Sequence, residues 1–114
     1  MLKDYEKVLY ESQRNGKPFC LVVAAISEGK LQICRIDFEE WERNSRTGQV
    51  EIYYLFDEAN TTLLANLLGT AYSGQFIAAL RKKCTDRCFS ISFFSQLRKL
   101  CEDNNIHYDY RVWY

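Results

Sequence analysis

The spacing of apolar residues along this chain shifts between a helical period and strict alternation, and each shift predicts an element. Leu2, Tyr5, Val8 and Leu9 recur at helical spacing, with Lys3, Asp4, Glu6, Lys7 and Glu11 on the remaining faces, which predicts a surface helix over residues 2–14. Asn15-Gly16 ends it and Pro18 reinforces the stop. Residues 19–26 are apolar at both parities, the pattern of a central strand covered on two sides. A tight turn at Glu28-Gly29 leads into a second strand. There Leu31 and Ile33 share one parity while Cys34, Ile36 and Phe38 take the other, so this strand either carries a bulge near Ile33, the favoured reading, or has both faces partly buried.

Residues 39–48, EEWERNSRTG, read as an exposed hairpin connection. Val50, Ile52, Tyr54 and Phe56 then alternate with Glu51, Tyr53 and Leu55 as a third strand, completing an antiparallel meander. Asp57 follows as a helix N-cap, ahead of a buried stripe of Leu63, Leu64, Leu67 and Leu68 that Gly69 terminates. Ser73 caps a helix with Phe76, Ile77, Leu80 and Cys84 on one face, and Ser90 or Ser92 caps a last helix carrying Phe93, Phe94, Leu97, Leu100 and Cys101. After the break at Asp103-Asn104-Asn105, Ile106, Tyr108, Tyr110, Val112 and Tyr114 alternate with His107, Asp109, Arg111 and Trp113 as a terminal strand with one wet face. The expected architecture is α+β: a meander of three strands plus a C-terminal strand, about four in all, with three to four helices packed on one face.

At 114 residues the chain fits one domain, and 47% apolar against 26% charged residues is ordinary globular usage. The longest apolar runs fall far short of the roughly 20 residues a membrane-spanning helix needs. The charged N-terminus has neither the apolar core nor the cleavage site of a secretory signal, so a cytoplasmic location and no membrane contact are expected.

Five cysteines without an export signal suit reduced thiols better than a disulfide framework. Cys84, Cys88, Cys101 and His107 form a C-x3-C…C-x5-H series of ligand types that zinc prefers. Its first spacing is not C-x2-C, and Cys84 and Cys101 continue apolar helix stripes, so the favoured reading is core thiols, with no metal and no cofactor. No catalytic residue is assigned. The chain's only histidine, His107, lies on the polar face of the last strand, and phosphate-cradle, dinucleotide and zincin motifs do not occur. Asp37 and Glu39 share a strand face and form the one carboxylate pair placed for acid–base work, the enzyme alternative.

Charge is segregated although it sums to zero. Seven acids (Asp37, Glu39, Glu40, Glu42, Glu51, Asp57, Glu58) stand against Arg43 and Arg46 between residues 36 and 60, whereas Arg81, Lys82, Lys83, Arg87, Arg98 and Lys99 face a lone Asp86 between 80 and 101. This predicts an acidic end and a basic end. Nucleic acid would use the basic 81–99 segment with Phe89, Phe93 or Phe94 as stacking groups, but those rings fit a core stripe and a pI near 6.6 disfavours that partner. Trp41 sits in a charged loop beside Glu39, Glu40, Glu42 and Arg43, and with Tyr53 it forms an aromatic anchor with an acidic rim, suited to a protein partner with a basic surface. Self-association through a strand edge or the aromatic C-terminus is the remaining alternative, giving a homodimer.

The run EIYYLFD passing straight into EANTTLLANLL, with a closing aromatic strand after NNIHYDYRVW, resembles small bacterial proteins of the toxin-immunity and accessory type. That resemblance implies a small cytosolic binding protein, immunity-like or adaptor-like, rather than an enzyme. The sequence thus points to a protein that occupies a basic partner surface with its acidic, tryptophan-bearing hairpin.

Overall fold

The computed structural model describes residues 2–14, 16–41, 46–85 and 88–113, and the side chains of 14, 17, 18, 39–41, 46–48, 90 and 91 lie outside that description. Four long strands come first: β1 (Tyr5–Arg14), β2 (Lys17–Ser27), β3 (Lys30–Trp41) and β4 (Arg46–Leu55). Three helices follow, α1 (Glu58–Leu67), α2 (Ser73–Cys84) and α3 (Phe89–Asp103), and the chain closes with β5 (Asp109–Trp113). All the strands join one antiparallel sheet of five in the order β1-β2-β3-β4-β5, so the class is α+β as expected, with one strand more in the meander.

The additional strand is β1, where the apolar spacing predicted a helix. A register shift between Val8 and Tyr10 explains the mimicry: an extra residue at Leu9 turns that side chain into the core and leaves Val8 on the other face. Tyr5, Val8 and Leu9 therefore imitate helical spacing within a strand, and pairing with β2 overrides the helix propensity of the intervening Lys and Glu residues. In β3 the predicted bulge is absent. Its register with β2 runs unbroken from Asp37 to Lys30, so the second reading holds and both faces carry apolar side chains. The β3–β4 connection is shorter than expected, because the strands stay paired out to Trp41 and Arg46.

The β2–β3 turn is the two-residue reversal the sequence predicted, with Glu28 at φ 53° and Gly29 at φ 75°. The Asp4 carboxylate accepts from the strained Glu28 N–H at 3.1 Å, tying the entry of β1 to this turn. Asp57 caps α1 as expected, accepting from the Asn60 N–H at 2.8 Å. The buried side of α1 differs from the leucine stripe: Thr61, Leu64 and Ala65 face inward, while Leu63 and Leu67 are exposed. Ser73 is the first residue of α2 rather than its cap, and its hydroxyl donates to the Lys3 carbonyl. Likewise Cys88, not a serine, precedes α3.

The core lies between the helices and one face of the sheet. Val22, Ala24 and Ile26 of β2, Leu31 and Ile33 of β3, and Tyr54 of β4 with Phe56 just beyond it meet Leu64, Phe76, Ile77, Leu80, Phe93 and Leu97. An aromatic row crosses this layer. Tyr10 stacks on Phe89 at 5.2 Å, Phe89 on Phe93 at 4.4 Å, Phe93 meets Phe94 edge-on at 5.1 Å, and Phe94 stacks on Tyr54 at 5.1 Å. Tyr108 and Tyr110 close on Tyr54 from the far side, so the row links both edges of the sheet.

One buried polar link fixes the helical layer to the sheet. The Thr61 hydroxyl accepts from the Leu31 N–H at 3.0 Å and donates to the Asp57 carbonyl at 2.7 Å. Thr61→Val keeps the shape and strands the buried Leu31 donor, so it should lower the unfolding free energy by about 1–3 kcal/mol, with Thr61→Ser losing less. Urea unfolding checks this. A pH effect follows from Asp57, whose carboxyl is held below its usual value first by the Asn60 backbone N–H and then by the Asn60 side chain. A depressed folded pKa adds stability above the unfolded value and loses it as pH falls through the folded one. The stability advantage of wild type over Asp57→Ala should accordingly shrink below about pH 4; thermal midpoints along an acid titration test it.

Candidate functional site

Side chains at odd positions of β2 and even positions of β3 point away from the helices. Leu21, Val23 and Ala25 of β2 thus share a face with Cys34, Ile36 and Phe38 of β3. The register continues the face through Glu51, Tyr53 and Leu55 of β4 to Asp109, Arg111 and Trp113 of β5, and through Val8 and Glu11 of β1 on the other side. Among the described residues no helix or loop covers this surface. At ordinary strand spacing it presents about 500 Å² of sheet. Cys34 is buried by its neighbours, Leu21, Val23 and Ile36 are half-buried, and Val8 and Trp113 are 49% and 58% exposed. The strand predicted to be covered on two sides is covered by the chain on one only.

A polar string runs through the apolar field. Both oxygens of Glu51 are engaged: Gln49 donates from its side-chain amide at 2.7 Å and the Tyr53 hydroxyl donates at 3.2 Å. Loss of water contact, then Cys34 and Glu51, push the Tyr53 hydroxyl up to about 12, which keeps it a donor at neutral pH. Burial foremost raises the Cys34 thiol beside it. Among the described residues each Glu51 oxygen takes one hydrogen bond, so this carboxylate is oriented and has acceptor capacity left for an incoming cation. Across the strands it lies between Ile36 and Trp113. Glu6, Glu11 and Asp109 add further acids on the same face, against Lys30 and Arg111.

Of the residues the sequence singled out for binding, Tyr53 is therefore in this face. Glu42 and Arg43 lie outside the described residues, and so do the side chains of Glu39, Glu40 and Trp41, whose backbone extends β3. The other candidates disperse. Asp37 accepts from Arg35 Nε at 3.1 Å on the helix side of the sheet. His107 lies near the opposite end, two residues beyond Asp109, which is itself five residues of strand or about 17 Å along from the level of Asp37; its backbone N–H donates to the Asn60 side chain at 2.9 Å. No cleft gathers Asp37 and His107. Cys84 and Cys101 are neighbours in the core, where burial pushes the thiols up to about 12 and about 11. Cys88 and His107 are exposed, and among the described residues no three histidine, cysteine or acidic side chains are placed to hold a metal. Phe89 and Phe93 are buried and Phe94 is stacked on Tyr54, so the rings proposed for base stacking are used by the core; Arg87 lies outside the described residues.

Trp113, whose exposed ring the alternation of the last strand places on its wet side, joins Tyr53 here, but the sequence reading missed Leu21, Val23 and Ile36 as the surface that connects them. The signal was present in residues 19–26, whose apolar side chains at both parities exceed what one helical layer can cover. The cysteine placement is testable by thiol labelling. In native protein at neutral pH Cys88 should react first, with Cys84 and Cys101 reacting only as fast as the protein unfolds; peptide mapping after timed alkylation reads both. No helix among the described residues is long and apolar enough to cross a membrane. Comparison of the chain with protein-family models, with curated proteins and with solved structures finds no significant match.

Proposed function

We propose that this protein works by stoichiometric binding of another protein, through the open face of its sheet, and not by catalysis. The uncovered face carries the reading: apolar side chains run across it from Val8 through Leu21, Val23 and Ile36 to Trp113 with no helix over them among the described residues, and contiguous uncovered apolar surface is characteristic of interaction sites. Glu51 gives the partner its chemistry. A lysine or arginine set among apolar side chains would place its charge on Glu51 between Ile36 and Trp113 while the surrounding residues exclude water. The acids on this face outnumber the bases among described side chains, which favours a basic partner. The segment joining β3 to β4 carries Glu39, Glu40, Trp41 and Glu42 in its sequence, and the toxin-immunity resemblance agrees with a protein that acts by occupancy.

The test is affinity capture with wild type, Val8→Lys/Trp113→Lys, Glu51→Gln, and Leu63→Lys as a control on the helical side. Wild type and the control should retain one basic protein in equal molar amount. The double variant should lose it, and Glu51→Gln should weaken binding by about tenfold or more, the scale of a hydrogen bond to a charged group. Unaltered capture by the double variant would remove this face from the reading. A dimer of wild type alone in sedimentation, dissolved by the same double variant, would assign the face to a second copy and overturn the basic-partner reading.

A further inference from the structure

We infer that the outer edge of β1, with the groove beneath it, is a separate binding site for an extended polypeptide segment bearing carboxylates at alternate positions. β1 is hydrogen-bonded to β2 on one side, and its other side meets no strand among the described residues. Along that edge runs a groove of about 330 Å³ between the strand and α2. Tyr5, Lys7 and Leu9 form one wall, and Gly74, Ala78 and Arg81, which share a face of α2, form the other. Gly74 lies against the Tyr5 ring, where an added Cβ would stand 3.5 Å away in ordinary contact.

Charge selects the occupant. Lys7 and Arg81 line the groove, and neither makes an ion pair among the described residues, where the ion pair present is Arg35 with Asp37. Arg81 is held in place by two uncharged contacts, donating from Nε to the Leu9 carbonyl at 3.0 Å and lying over the Phe89 ring at 5.4 Å. Its charge is thus fixed at the groove, with no carboxylate paired to it among the described residues. The acids of the same strand, Glu6 and Glu11, belong to the opposite face.

The bulge sets the length. With Leu9 outside the β1–β2 register and its carbonyl taken by Arg81, the edge available for pairing is Tyr5 to Val8. A strand added there would send every second side chain toward the helix, between Lys7 and Arg81, and the intervening ones toward Glu6. Backbone pairing supplies binding and the groove supplies selection, which calls for acidic side chains at one parity and neutral or basic ones at the other. The site shares Val8 with the margin of the open face and does not rest on the partner proposed for that face.

The probe is a capped octapeptide alternating Glu and Thr, compared with its Lys-Thr counterpart by amide NMR titration of the labelled protein. Shifts confined to Tyr5–Val8 and the Gly74–Arg81 side of α2 are expected for the Glu peptide, weakening as salt rises. Lys7→Glu, an exposed change, should lower its affinity by about fivefold. Ala78→Trp, on the exposed side of α2, should fill the groove and abolish binding. Absence of shifts along β1 at millimolar peptide, equal response to the Lys peptide, unchanged binding by Ala78→Trp, or shifts centred on Glu51 and Trp113 would each overturn the assignment.

Discussion

A five-stranded sheet has two faces, and the single helical layer of this chain covers one. Everything else in the structure follows from which face that is. The choice is made at the end of β4, where Phe56 N–H donates to the Leu31 carbonyl at 2.9 Å and Asp57 opens α1 immediately afterwards. Thr61, one turn on, takes the Leu31 N–H. Both backbone groups of Leu31 are thereby spent on the segment that leaves the sheet, which pins α1 beneath β3. α3 then lays its phenylalanines across the strands, and the aromatic row from Tyr10 to Tyr110 ties the two edge strands to the same layer. Nothing in the described chain is left to cover the other side.

Local rules made much of this legible. Asp57 as a cap, Glu28-Gly29 as a reversal and the end of α1 at Gly69 are each decided by a few neighbouring residues and stand where the sequence placed them, whereas the terminal strand read from Ile106 begins at Asp109. The misreadings are of another kind. Residues 2–14 have helical spacing only because a bulge at Leu9 shifts a strand by one position, and a bulge is visible only in the pairing with β2. Leu63 and Leu67 were assigned to the core because leucine is apolar, yet the inward face of α1 is set by the Thr61 link, and a threonine carries no hydrophobic signal. The candidate surface was half legible for the same reason. Acids and aromatics could be counted along the chain, but that Leu21, Ile36, Glu51 and Trp113 are neighbours follows from register across four strands.

On the proposed reading, the same charges that give the two surfaces their chemistry would also disfavour pairing of the protein with itself. A bare apolar face invites a second sheet to stack at about 10 Å, and an open edge invites another strand. Stacking two copies face to face would set Glu6, Glu11, Glu51 and Asp109 of each against the other's, with Lys30 and Arg111 too few to neutralise them. At the edges, β5 is short and carries Asp109 and Arg111, while the bulge in β1 breaks its outer register at Leu9 and hands that carbonyl to Arg81. An acid-rimmed face and a cation-lined edge are thus poor templates for their own kind in the geometry each offers. On the proposed reading they would suit partners of opposite charge, a basic protein surface on the face and an acidic strand on the edge, so that disfavoured self-association and selection of partners would arise from one distribution of side chains.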